Sequence, residues 1–151
     1  TTKIVNDGYS RETEARYVME RLAREIREVK YLSSGSYCLT MGANSLVFQK
    51  PNADSTDQAN CNTESVTVTI TFNNTNHTVT ITYSSPANAT GTLTNAVTDG
   101  GFGFLYYQGD GVTAATSSSD VRMVKISLAL TDPTSTSALA QTVRVSLRNS
   151  S

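Results

Sequence analysis

The chain contains one histidine, two cysteines and no apolar run near the roughly 20 residues that a membrane-spanning helix needs. The last absence excludes such a helix within these 151 residues. No secretory leader pattern is visible either. His77 stands alone, with no serine or cysteine placed near it by a recognisable motif. Paired metal ligands, a glycine-rich phosphate loop and a nucleophile elbow are all missing. Neither catalysis nor a cofactor nor a bound metal is therefore expected. Charge excludes another class. The formal net charge is −1 and the pI about 5.7, so no global positive field draws the chain to nucleic acid or an anionic bilayer. Any such binding would need a local patch.

What is present is a sharp break in composition. More than half of residues 11–30 are charged, whereas the following hundred or so are built from Thr, Ser, Val and Ile. In 11–32, Ala15, Val18, Met19, Leu22, Ile26 and Val29 follow helical spacing and make one apolar stripe. Glu12–Arg16 and Glu20–Arg24 are i, i+4 pairs in the favourable order. Arg27 and Lys30 fall in the expected last turns, and Gly35 is the expected stop. The start has two readings: a cap at Ser10, or a helix that runs back through Gly8 to Thr1. The chain opens on Thr1-Thr2 without methionine, so a processed or trimmed form is expected, with further residues upstream of Lys3-Ile4-Val5.

Beyond Gly35 the period becomes two. Short strands are expected at 37–40 and 45–49. In 65–83, Val66, Val68, Ile70 and Phe72 alternate with threonines, and so do Val79, Ile81 and Tyr83 after Asn73-Asn74-Thr75-Asn76, which predicts a β-hairpin. Its apolar face is expected to pack on the helix stripe. A short strand is expected at 92–97, and an aromatic one over Phe102–Tyr107, closed by a turn at Gly109-Asp110-Gly111. Strands over Arg122–Leu130 and Thr142–Arg148 should pair antiparallel. Cys38 and Cys61 are an even pair in a strand-rich chain, expected to form a disulfide in an oxidising compartment, with two buried thiols as the alternative.

The order of elements, together with Leu22-Ala23-Arg24-Glu25-Ile26-Arg27, Val97-Thr98-Asp99, Phe102-Gly103-Phe104-Leu105-Tyr106-Tyr107, Gly109-Asp110-Gly111, Val121-Arg122-Met123-Val124-Lys125-Ile126-Ser127-Leu128 and Val143-Arg144-Val145-Ser146-Leu147-Arg148-Asn149, resembles the minor pilins of type IV pili, the PilW-like group in particular. It is also similar to the minor pseudopilins of type II secretion. The resemblance implies an α+β, pilin-like fold in one domain. Residues 1–34 would be the C-terminal half of a long helix packed on an antiparallel sheet, and 35–151 a β-rich head. It implies a structural subunit of the cell envelope, active in assembly initiation or in a tip complex. Such a subunit stands in the inner membrane or periplasm before assembly and on the extracellular pilus afterwards. Its partners would be other minor and major pilins or pseudopilins, and the inner membrane through a hydrophobic helix half that this chain lacks. The exposed helix face of Arg16, Glu20, Arg24 and Arg27 would then dock neighbouring subunits, against the plainer reading of a solvated charged face.

Three further candidates arise from the residues. Lys125, Arg144 and Arg148 fall on the outward side of the last two strands, where they would meet DNA phosphates or simply guard an edge. Asp99, Asp110 and Asp120 suit calcium chemically, though turn geometry explains them better. Phe104, Tyr106 and Tyr107 are read as core plus one exposed ring rather than as an adhesive surface. Asn73, Asn76, Asn88 and Asn149 fit the N-x-Ser/Thr pattern, with meaning only in a eukaryotic secreted protein.

Overall fold

The computed structural model describes residues 2–85, 90–132 and 137–147, with side chains from Arg11 onward. Among these residues one helix, α1 (Thr2–Arg27), precedes eight strands: β1 (Leu39–Met41), β2 (Ser45–Pro51), β3 (Ser65–Asn73), β4 (Thr78–Tyr83), β5 (Gly91–Thr94), β6 (Val97–Tyr107), β7 (Met123–Leu130) and β8 (Leu139–Ser146). All pairings are antiparallel. They form a five-stranded sheet in the order β1-β2-β3-β4-β5 and a three-stranded sheet in the order β6-β7-β8.

This corrects the expected architecture. The chain is not a pilin-like α+β domain with a long helix laid on one sheet; its described residues are mostly antiparallel β, in two sheets, with a single helix. The physical reason lies in how much apolar surface the strands carry. Phe48, Val68, Ile70, Phe72, Val79 and Ile81 of the first sheet and Phe102, Phe104, Val124, Ile126, Leu128, Leu130 and Val145 of the second are all buried in one continuous core with the helix stripe. Two apolar sheet faces require more cover than one helix offers, so both sheets and the helix stripe share one core. Phe72 meets Phe102 at 6.0 Å between ring centroids, and Phe102 meets Phe104 edge-on at 5.1 Å. The hairpin is therefore not the main bed of the helix, which packs chiefly on β8 and then on β7 and β5.

The hairpin itself forms where the alternation places it. β3 and β4 pair from Val68↔Tyr83 to Asn73↔Thr78. The Asn73 side chain accepts the amides of Thr75 and Asn76, and so shapes the turn.

At the other end of the chain the helix runs back through Gly8 and stops at Arg27, five residues short of the expected end. Glu28 and Val29 donate to Glu25 and Ile26, which tightens the last turn. Lys30 then gives its amide to the Gln49 carbonyl and accepts the Cys38 amide, so the chain leaves the helix to run beside β2. Gly35, at φ +98°, turns the chain between Tyr31 and Tyr37, which form an isolated bridge, and does not cap the helix.

Cys38 and Cys61 are joined in a disulfide. The bridge pins the 52–64 loop at one point, and Lys30 pins it beside that point. The Lys30 side chain is 3% exposed, and its Nζ donates to the carbonyls of Asn60 and Thr63, both at 2.7 Å. Asn60 and Thr63 flank Cys61 in the sequence. Glu64 adds a third anchor, its carboxylate accepting the amides of Thr56 and Asp57.

Candidate docking surfaces

The helix divides cleanly. Ala15, Val18, Met19, Leu22, Ala23 and Ile26 are buried, and Arg16, Glu20, Arg24 and Arg27 are exposed together, as the sequence spacing predicts. Glu25 is the exception among its charges. It is buried and reaches across to Lys50 of β2 at 3.2 Å, tying the helix end to the first sheet. Arg16 pairs with Glu12, at 3.4 Å on the surface, a contact of small energetic weight. Arg21 donates to the Tyr83 hydroxyl at 3.1 Å, and that bond raises the guanidinium further above its ordinary value.

Between the exposed helix face and β8 runs a groove of about 290 Å³, lined by Arg16, Met19, Glu20, Ala23 and Arg27 on one side and Gln141, Thr142 and Val143 on the other. Three of the four residues of the expected docking face thus share one depression. Sequence spacing located the helix face but had no means of placing β8 alongside it.

Of the basic patch, Lys125 and Arg144 are direct cross-strand partners on the outer face of the second sheet, with Leu105 opposite Lys125 on the other side. Leu105 is 52% exposed. Arg144 is partly engaged, donating to the Gly111 carbonyl at 3.0 Å and lying over the Tyr107 ring at 5.4 Å. Arg148 lies outside the described residues, as do Asn88 and Asn149.

The three aspartates do not converge. Asp110 closes its own turn: bonds from the Thr113 hydroxyl and the Thr113 and Val112 amides pull its carboxyl down to about 2. Asp120 does the same for Thr116 and Ser117, and bonding to the Ser117 amide lowers it first of all. Asp99 stands apart, 3.6 Å from His77 Nδ1. Among the described residues no group of three or more His, Cys, Asp or Glu side chains could hold a metal ion.

In the aromatic run, Phe104 is buried and Tyr106 is half-buried. The Tyr106 hydroxyl donates to the Gly42 carbonyl at 2.9 Å and lies 3.2 Å from the Gly42 amide, so it clamps the β1–β2 turn to the second sheet. Burial pushes its pKa up to about 12. The folded state holds that proton more tightly than the unfolded chain. Its contribution is thus fully present below pH ~10 and is lost as pH rises from there towards about 12. In a spectrophotometric titration of the native protein, one tyrosine is expected to ionise near the top of that range, and Tyr106→Phe to remove that late phase. An unchanged late phase in the variant would refute the assignment.

The geometry defines a two-sheet antiparallel β domain whose singular surfaces are an exposed charged helix face, an open groove and a basic sheet face. No protein-family model matches the chain, and neither does any curated protein or solved structure.

Proposed function

We propose that the protein is a non-catalytic structural subunit of a type IV pilus-like filament. In this reading it is a minor pilin that acts in assembly initiation or in a tip complex, with other minor and major subunits as partners in the cell envelope. A minor pseudopilin of type II secretion is the same reading in a sister machine. The observation that carries it is the division of α1, whose apolar stripe is buried in the core while Arg16, Glu20, Arg24 and Arg27 stand exposed on the other side. Both signs of charge on that face allow complementary contacts that steer and orient docking. The resemblance in element order and in the closing strands supports the choice of machine.

Deleting the protein and counting surface filaments is expected to lower the count several-fold, and reversing Arg16, Arg24 and Arg27 to glutamate together is expected to reproduce the loss with the domain still folded. A drop in secretion with normal filaments would move the protein to the secretion machine. Normal filaments and normal secretion after deletion would refute both.

A second reading, a pilus-associated DNA-binding or adhesive module, draws on the adjacency of Lys125 and Arg144. Reversing both to glutamate should then abolish a salt-sensitive gel shift. An absent shift for the unaltered protein at low salt removes the DNA version.

A further inference from the structure

The edges of the two sheets are not treated alike. β1 is three residues long, and β5 is four, with a register shift against β4 between Val79 and Thr80. On the outer side of β6, the Phe104 amide goes to the Ala43 carbonyl and the Tyr106 carbonyl takes the Ala115 amide. Short strands, bulges and covering loops are the usual ways of closing an edge. Among the described residues β8 has none of them. It is eight residues long, without proline, and its register with β7 runs unbroken from Leu130↔Leu139 to Met123↔Ser146.

The phase of its hydrogen bonds follows from one contact. Leu147 and Arg122 continue the β7–β8 register by one step, and the Leu147 amide donates to the Arg122 carbonyl at 3.0 Å. In an antiparallel ladder such exchanging pairs alternate with non-exchanging ones. Val145, Val143, Gln141 and Leu139 therefore bond to β7, while Ala140, Thr142, Arg144 and Ser146 turn their N–H and C=O groups to the free side. Among the described residues no backbone group meets those outward ones. β8 is also less completely covered on its inner side than β7. Leu139, Gln141 and Val143 are half-buried, whereas Val124, Ile126, Leu128 and Leu130 of β7 are fully buried.

We infer that β8 receives an extended, acidic segment of a neighbouring protein chain as a fourth strand of the second sheet. An unpaired ladder is matched only by another backbone in extended form. The charge around the edge selects the segment. Arg16 and Arg27 line the groove on the inner side, with Glu20 as its one acidic residue. Lys125 and Arg144 stand on the outer face. An added strand points alternate side chains to both faces, so acidic residues on either face meet cations. β8 itself holds no acidic residue, so pairing with the β8 of a second copy would set arginine near arginine and gain nothing from this field. The inference deepens the filament reading, on which it rests for the source of the segment.

The test uses the purified chain and two synthetic probes, a ten-residue peptide alternating valine with glutamate and its valine–lysine counterpart. Amide exchange at Ala140, Thr142 and Arg144 is expected to slow by about tenfold or more with the acidic probe and to stay unchanged with the basic one. Thr142→Pro removes one outward N–H and no bond to β7, and should abolish the protection while the melting temperature is retained. Should that variant not fold, Arg144→Glu serves in its place, with the expected result that preference moves towards the basic probe. No slowing at millimolar acidic peptide would overturn the inference. So would slowing that grows with protein concentration alone, which would assign the edge to a second copy. Neither result bears on the filament count, and a normal filament count after deletion would leave probe-induced protection standing.

Discussion

Truncating Leu22 to alanine is expected to destabilise the domain by about 3 kcal/mol and to lower its melting temperature by roughly 6–12 °C. Leu22 lies at the centre of the helix stripe and is fully buried, within a cluster that also contains Val18, Ile26 and Val145. Removing three carbons there forfeits their transfer free energy and leaves a cavity among residues fixed by both sheets. Arg24→Ala, two positions along on the exposed face, is expected to change stability by no more than ~0.5 kcal/mol. Thermal melts of the two variants side by side separate the face that folds the protein from the face left for partners. A Leu22→Ala variant as stable as the parent would mean that the stripe is not seated in the core as described.

Replacing Cys38 and Cys61 together by serine is expected to cost about 3 kcal/mol, the unfolded-state entropy of a loop of this length. The loss should not be confined to chain entropy. The two carbonyls that hold Lys30 belong to Asn60 and Thr63, on either side of Cys61. Once the bridge is gone that segment is free to move, and a buried ammonium group loses the partners that make its burial tolerable. Disulfide and lysine should therefore be coupled. Lys30→Met should destabilise the oxidised protein more than the cysteine-free one, by about 1 kcal/mol in a double-mutant cycle. Faster amide exchange across 52–64 in the cysteine-free protein would localise the change. Identical melting temperatures with and without reductant would refute the structural weight assigned to the bridge.

Much of the local structure was legible. The helix stripe, the hairpin of 65–83, the aromatic strand and the pairing of the two closing strands follow from periods of 3.6 and 2 read against turn residues. Those signals depend on near neighbours in the chain. The helix end was misplaced because Val29 continues the apolar spacing and Lys30 suits a last turn, yet both belong to the segment that runs beside β2. A lysine destined for burial carries no local mark, since its acceptors lie 30 and 33 residues away. The candidate helix face was legible for the same reason as the stripe, as its complement. The groove beside it was not, because Gln141, Thr142 and Val143 reach Arg16 and Glu20 only in the folded chain.

By itself, the order of residues determined where strands and helix arise and which side of each is apolar; that Cys38 and Cys61 meet was an expectation which the folded chain had to supply. Tertiary structure alone decided that the strands divide into two sheets, that the helix lies chiefly against β8 and not on the hairpin, and that among the described residues β8 is left as the long open edge. Alternation specifies that a strand has a face to bury but not which surface will bury it. That choice follows from the total apolar area needing cover and from connections such as the short link between β5 and β6, which start a new sheet where the old one ends.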